Sequence, residues 1–167
     1  MEVYKMRDKV QEICDLLNNK EIEFKLIQHK AVYTIDEMQE LNLPDADAVA
    51  KNLFVRDDKK HNYYLLVVRQ EKKVELKTLE EKICSRRLTF ASENDLNSIL
   101  GLSKGSVTPL GIINDEERKV KVILDKTFNK SLIGIHPNEN IATIWMNAAD
   151  LVNIIKQHGN SVEFVEI

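Results

Sequence analysis

Two apolar segments separated by a short charged turn place the strongest constraint on the fold. Residues 52–56 (NLFVR) and 63–69 (YYLLVVR) have the composition of β-strands, and the charged residues 57–60 (DDKK) between them suit a turn. Two strands joined in this way predict an antiparallel hairpin, because a short connection leaves no room for a crossover. The fold therefore includes a β-sheet that contains this hairpin.

Helices and further strands are predicted before and after this hairpin in the sequence. Helical spacing predicts a helix over 6–18 and another that ends near Leu41. Strand-like segments are 24–28, 120–124, 132–135, 141–146 and 161–167. Expected helix starts are Thr34, Thr78, Ser92 and Asn147, and expected ends are Gly101 and Gly159. Hairpins dominate this order, which predicts an α+β fold: a mixed, mostly antiparallel sheet with helices packed against it.

The 167 residues are predicted to form one domain, 1–167, because the chain has only three prolines, five glycines and no linker-like tract. Cys14 and Cys84 lie in apolar surroundings and are expected to be buried or half-buried free thiols of a reducing compartment. The chain contains neither a secretory h-region nor a run of 18 apolar residues. We therefore expect a cytoplasmic protein that does not bind a membrane.

Charge is unevenly distributed along the chain. The net charge is −3, but residues 51–87 hold 11 basic and 6 acidic residues. A basic segment inside an acidic chain can form a surface that faces phosphates. Lysines that protect strand edges in solvent would give the same numbers, so charge alone leaves both interpretations open.

Three segments have features that plain secondary structure does not require. Lys51 stands at the start of an apolar strand, in the segment AKNLF. A loop with two glycines and a proline covers 104–111 (KGSVTPLG), and glycine lets a backbone approach a ligand closely. His136 ends a strand in the segment GIHPNENIAT. Taken singly, each has a structural explanation: a solvated lysine, a tight loop and a surface histidine.

Together, these segments resemble the YbaK/ProX-like aminoacyl-tRNA deacylases, also called prolyl-tRNA synthetase associated domains. The resemblance begins at 28–34 (QHKAVYT), which is similar to the family pattern H-x-x-V-[FY]-T. It continues through 50–54, the loop that ends in 109–111, and the His136 segment, in the family's order and spacing. The form Lys51-Asn52-Leu53 resembles the PrdX or ProXp-ala branch, since the cysteine-clearing branch usually has Lys-Thr-Leu.

The resemblance implies an enzyme that hydrolyses the ester of mischarged tRNA(Pro), with alanine as the amino acid removed. An apolar pocket distinguishes a missing methylene by only about 1–3 kcal/mol, so a second site for small acyl groups supplies the missing selectivity. Lys51 and His136 are the expected catalytic residues. The expected substrate-binding residues are Asn52, Gly105, Ser106, Val107, Thr108, Pro109, His29 and Tyr33.

Physical chemistry suggests the task of each residue. The Lys51 ammonium can hold the terminal phosphate or ribose, or polarise the ester carbonyl, and amides near Gly105 can orient that carbonyl. His136 would line the acyl pocket and place water, while the family resemblance implies that the 2′-hydroxyl of the tRNA activates this water. Structural roles remain open for His29, Tyr33 and Asn52, and a general-base role remains open for His136. The four histidines are scattered and no Gly-x-Ser-x-Gly elbow occurs, so we expect neither a metal, a cofactor nor a nucleophilic serine.

The expected partner is the acceptor end of tRNA(Pro), with prolyl-tRNA synthetase or an elongation factor as a further candidate. Three alternatives remain open at this point. The first is a deacylase for Cys-tRNA(Pro) or another small residue, and the second is a non-catalytic module that binds tRNA or a synthetase. The third is a domain that binds some other small acylated metabolite.

Overall fold

The computed structural model describes residues 8–167 and contains five helices and eight strands in that range. The helices are α1 (Lys9–Asn19), α2 (Ile35–Glu40), α3 (Leu76–Ile83), α4 (Glu93–Leu100) and α5 (Ala148–His158). The strands are β1 (Phe24–Gln28), β2 (Ala50–Asp57), β3 (Tyr63–Arg69), β4 (Leu88–Phe90), β5 (Val120–Asp125), β6 (Leu132–Ile135), β7 (Ala142–Asn147) and β8 (Val162–Val165). Short 3-10 helices cover Ala46–Ala48, Pro109–Asn114 and Lys126–Phe128.

The strands form two sheets. One has five strands in the order β4-β2-β3-β5-β8, and the other has three in the order β1-β7-β6. The pairs β3–β5 and β5–β8 are parallel, whereas the other four pairs are antiparallel. The predicted α+β fold with a mixed, mostly antiparallel arrangement is therefore confirmed, with the strands divided between two sheets.

The predicted hairpin is the pair β2–β3, and β3 is the most deeply buried strand of the larger sheet. Its first six residues are all buried, because apolar groups cover both faces of the sheet. Leu65 and Val67 pack into the main core, while Tyr64 and Leu66 pack on the opposite face with Leu79 of α3. Burial on both faces explains why β3 is a continuous apolar run rather than an alternating one.

Helix ends agree with the sequence at some positions and differ at others. As predicted, the Thr34 hydroxyl accepts a hydrogen bond from the Glu37 amide at 3.1 Å. The Ser92 hydroxyl likewise accepts one from the Asp95 amide at 3.0 Å. The helix ends at Gly101 and Gly159 are also confirmed, and both glycines have positive φ.

The capping box at Thr78 was wrong: α3 begins at Leu76, and Thr78 lies inside its first turn. Asn147 does precede α5, but its side chain makes no capping hydrogen bond. The helix predicted over 6–18 corresponds to α1, and positions 6–7 lie outside the described residues.

Both cysteines are free, but only one has the expected burial. Cys14 is buried in the core, whereas Cys84 is exposed. Cys84 follows the last residue of α3 with φ of +53°, so it ends the helix rather than packing beneath it. Within 8–167, no helix is both long enough and apolar enough to cross a membrane.

Candidate functional site

A pocket of about 760 Å³ lies where the start of β2 meets four other segments. These segments are the chain from Val32 into α2, the β4–α4 connection, the glycine loop, and His136 at the end of β6. Of the residues predicted from sequence, the pocket brings together Tyr33, Lys51, Asn52, Gly105, Val107 and His136. The three segments selected from sequence therefore converge on one cleft.

One backbone contact explains how Lys51 and His136 come to face the same cleft. Val49 forms a parallel bridge with Gly134, which joins the start of β2 to β6. Lys51 and His136 each lie two residues beyond the bridge, so a parallel register gives them equivalent positions along the two chains. The approach needs a glycine, because a Cβ on Gly134 would lie 2.9 Å from Trp145 Nε1 and 3.2 Å from the Cα of Val49.

Lys51 is half-buried, and its ammonium is held by the backbone. Its Nζ donates to the carbonyl of Lys72, which follows β3. The Lys72 ammonium in turn contacts the buried Asp125 carboxylate at 2.7 Å. An ammonium has three N–H donors, so the bond to the Lys72 carbonyl leaves two for a ligand. The lysine is thus positioned by the protein while most of its donors remain available.

Asn52 has an unpaired side-chain acceptor, and its backbone groups lie on the edge of β2 that β3 does not occupy. Its side-chain Oδ1 is buried without a hydrogen-bond partner among the described residues, which is costly unless a ligand or water fills that role. The Ala91 amide donates to the carbonyl of Phe54 on the edge of β2 that faces away from β3. Because backbone groups alternate in direction along a strand, the N–H and C=O of Asn52 face that same side.

The glycine loop contributes backbone to the pocket at Gly105. This residue has φ of +91°, and a Cβ there would lie 2.8 Å from Cδ1 of Tyr33. Glycine is therefore required both by the backbone conformation and by the close approach of the Tyr33 ring. Val107 of the same loop also lines the pocket.

The other predicted residues of the loop lie elsewhere. Ser106 lines an adjacent, more polar pocket of about 540 Å³, together with Lys104 and Glu139. Thr108 and Pro109 are buried and are not among the lining residues of either pocket. The Thr108 hydroxyl donates to the carbonyl of His136 at 2.7 Å, so this residue links the loop to the histidine.

His136 presents a neutral imidazole to the pocket. Burial lowers the pKa of His136 below its ordinary value; a hydrogen bond to the Ala142 carbonyl opposes this shift, and the charge of nearby His29 adds to it. Nδ1 of His136 donates to that carbonyl at 2.9 Å, which leaves the Nε2 lone pair as an acceptor. An acceptor of this kind can hold a water or a ribose hydroxyl.

His29 lies near His136 but does not line the pocket. The two rings are 6.2 Å apart between centroids, but His29 is not among the lining residues. Its Nδ1 bonds the Lys30 carbonyl and its Nε2 bonds the Thr143 hydroxyl, both at 2.8 Å. Both ring nitrogens are thus occupied by the protein.

Several lining residues had no signal in the sequence. Phe90, Ala91 and Glu93 line the pocket from the β4–α4 connection, and Gln70 lines it after β3. β4 was not predicted, because it has only three residues and depends on pairing with β2. Within 8–167, no three His, Cys, Asp or Glu side chains form a group that could hold a metal ion.

Comparison with known proteins assigns this chain to a family. The model of the aminoacyl-tRNA editing domain matches residues 29–154, a range that includes every lining residue named above. The chain belongs to the aminoacyl-tRNA editing domain family. It is thereby an aminoacyl-tRNA deacylase, a hydrolase of the ester between an amino acid and its tRNA. The family resemblance seen in the sequence is confirmed.

Two curated relatives in the family match most of this chain. It is 41% identical over 161 residues to the prolyl-tRNA editing protein ProX of Acetoanaerobium sticklandii, covering 96% of this chain and 98% of the relative. It is 32% identical over 153 residues to prolyl-tRNA synthetase associated domain-containing protein 1 of Danio rerio, covering 90% and 83%.

Solved structures support the fold of this editing domain. A crystal structure of "a putative trans-editing enzyme for prolyl tRNA synthetase" superposes with a TM-score of 0.71 over 97% of this chain and 99% of that chain. The hypothetical protein APE2540 gives a TM-score of 0.68 over 93% and 97%. Both are 16% identical to this chain, so they bear on the fold alone.

Proposed function

We propose that this editing domain deacylates mischarged tRNA(Pro) in trans and that alanine is the amino acid it removes. The observation that carries the proposal is the convergence of Lys51, the Gly105 backbone and His136 on one cleft of about 760 Å³. The names of the curated relatives support tRNA(Pro) as the substrate class. The Lys51-Asn52-Leu53 form supports alanine, as in the branch that it resembles.

The reaction requires little covalent chemistry from the protein. Water attacks the ester carbonyl carbon, the bond from that carbon to the ribose oxygen breaks, and the ribose oxygen takes up a proton. The products are the free amino acid and a tRNA with a free terminal hydroxyl. An aminoacyl ester is already labile, so positioning and stabilisation of the developing oxyanion supply the catalysis.

Each pocket residue has a task in this scheme. Lys51 donates to the ester carbonyl oxygen as negative charge develops there, using the N–H groups that Lys72 does not occupy. The unpaired Oδ1 of Asn52 accepts from the α-ammonium of the amino acid or from a ribose hydroxyl. His136 Nε2 accepts from water or from the ribose 2′-hydroxyl, because its pKa is held low and the ring is neutral. The 2′-hydroxyl then serves to activate the water.

Deacylation assays with four purified substrates test the proposal. Ala-tRNA(Pro) should be hydrolysed, while Pro-tRNA(Pro), Cys-tRNA(Pro) and Ala-tRNA(Ala) should be hydrolysed much more slowly. Preferential hydrolysis of Cys-tRNA(Pro) would refute alanine as the amino acid removed. Binding of tRNA without hydrolysis of any substrate would refute catalysis and indicate a binding module.

Lys51→Ala tests the site within the same assay. Loss of one oxyanion donor should lower the deacylation rate about 10²- to 10³-fold. Lys59→Ala is the matched control, because Lys59 is an exposed lysine of the same basic segment that lies in the β2–β3 turn, away from the pocket. A wild-type rate for Lys51→Ala would show that Lys51 has no catalytic task.

A further inference from the structure

Large apolar side chains are exposed at three positions of the described chain, and two of them are aromatic residues that line the pocket. Tyr33 is 67% exposed and Phe90 is 59% exposed, whereas the third residue, Ile141, is 45% exposed and lies outside both pockets. Neither aromatic ring contributes much to the core at this exposure. Aromatic rings that face solvent beside a binding cleft are suited to contact a ligand.

Tyr33 is presented on a fixed backbone. Its N–H donates to the Glu37 carboxylate at 3.1 Å, at the start of α2. The preceding residue, Val32, accepts a hydrogen bond from Asn140 Nδ2 at 2.8 Å. The ring itself lies against Gly105, where a Cβ would be only 2.8 Å from Cδ1. Tyr33 is therefore supported from behind, while most of its surface remains open.

Phe90 is also held by regular structure. It is the last residue of β4 and pairs with Val55 of β2, and the next residue, Ala91, donates to the Phe54 carbonyl at 3.0 Å. Leu88, two residues earlier on β4, is buried in the cluster beneath α3. Of the three residues of β4 only Leu88 is buried, and Phe90 is exposed where the strand reaches the pocket.

We propose that Phe90 and Tyr33 form a stacking platform for the unpaired nucleobase at the 3′ end of the tRNA. Proteins that bind single-stranded nucleic acid combine aromatic rings, on which bases stack, with cations that contact the backbone. Lys51 and Lys104 line the same pocket, and Glu93 is its one carboxylate among the described lining residues. The inference rests on the proposed function, since the reacting ester is attached to the ribose of that terminal nucleotide.

The platform can be tested by binding alone, without any reaction. The probe is the trinucleotide cytidine-cytidine-2-aminopurine riboside, whose fluorescence is quenched when the terminal base stacks. Wild-type protein should quench the probe saturably, and Phe90→Leu should raise the Kd about 5- to 150-fold, which corresponds to loss of one base–aromatic stack. Phe90→Tyr keeps a ring and should stay within about twofold of wild type.

Ile141→Ala is the matched control, since it removes an exposed apolar side chain away from the pocket and should leave the Kd unchanged. Phe90 is mostly exposed, so Phe90→Leu should retain the wild-type unfolding temperature. Equal quenching by wild type and Phe90→Leu would overturn the platform. Self-association of wild type that Phe90→Leu abolishes in sedimentation would also overturn it, because the rings would then cover a second copy.

The same variant separates failure of the platform from failure of the proposed function. If Phe90→Leu deacylates Ala-tRNA(Pro) with wild-type kcat/KM, the platform is refuted while the proposed function stands. If wild type hydrolyses none of the mischarged tRNAs but still quenches the probe through Phe90, the proposed function is refuted while the platform stands.

Discussion

Replacement of Asp125 by asparagine should weaken both the fold and the support of Lys51. Asp125 ends β5 and is fully buried, and its carboxylate contacts Lys72 Nζ at 2.7 Å and the Thr127 hydroxyl at 2.9 Å. The backbone carbonyl of Lys72 in turn accepts a hydrogen bond from the Lys51 ammonium. The Asp125→Asn change keeps the shape of the side chain and removes its charge.

The size of the effect follows from the burial of the two partners. A hydrogen bond to a charged group contributes about 1.5–3 kcal/mol, and removal of one partner from a fully buried pair costs about 3–5 kcal/mol. The Lys72 side chain is 29% exposed and can be hydrated once it loses the carboxylate. We therefore expect Asp125→Asn to lower the free energy of unfolding by about 2 kcal/mol, which lowers Tm by about 4–8 °C.

Acid should reduce this difference. Burial alone would raise the pKa of Asp125, but hydrogen bonds from Lys72, Thr127 and the Ile167 amide outweigh it and lower the pKa. A lowered pKa means that the carboxylate stabilises the fold fully above about pH 4, the ordinary value for aspartate, and loses this effect as pH falls through the folded-state pKa. The difference in free energy of unfolding between wild type and Asp125→Asn should stay constant from pH 5 to 8 and shrink below pH 4.

Urea unfolding of both proteins at pH 7, 5 and 3.5 measures the gap directly. Asp58→Asn is the matched control, because it makes the same chemical change in an exposed pair with Arg86 and should cost less than about 1 kcal/mol. Equal costs at Asp125 and Asp58, or a gap that widens in acid, would refute the reasoning. Deacylation by Asp125→Asn at a temperature where it is folded then shows how far Lys51 depends on Lys72.

Two further predictions concern the geometry and the charge of the pocket. Gly134→Ala places a methyl group against Val49 and Trp145 and should lower the free energy of unfolding in urea by about 1–3 kcal/mol. It should also lower kcat, because the bridge at Gly134 sets His136 opposite Lys51. Unchanged stability and kcat would contradict this. The acid fall in single-turnover deacylation should have its midpoint below about pH 6.5, the ordinary pKa of histidine, because burial lowers the pKa of His136. Removing the His29 charge by His29→Gln should move this midpoint to higher pH, and an unmoved profile would contradict the coupling.

Sequence patterns located the parts of the site that depend on local chemistry. Lys51 and the Gly105 loop stand out because a charge at a strand start and a short loop with two glycines and a proline are visible in the sequence alone. Phe90 could not be found in this way. Its exposure depends on where β4 pairs with β2 and where the cover of α3 ends, and both are set by residues far away in the chain.

The error at Thr78 has a similar cause. The sequence from Thr78 to Glu81 has the pattern of a capping box, but Leu76, Leu79 and Ile83 form an apolar face that packs against the large sheet. Burial of this face favours a helix that starts at Leu76, although no side chain caps it there. Packing therefore overrides the local signal, as expected for a short amphipathic helix.

The site is assembled across two sheets, so its geometry depends on buried polar contacts that no substrate touches. Lys51 belongs to the five-stranded sheet and His136 follows a strand of the three-stranded one. The bridge at Gly134 holds the sheets together on one side of the cleft, and the buried Thr108 hydroxyl ties His136 to the glycine loop on another. Because a buried hydroxyl that loses its partner costs more than the bond contributes, such contacts fix one arrangement of the sheets rather than several. The proposed selectivity for a small acyl group would require a cleft of constant width, and contacts of this kind hold its walls in place.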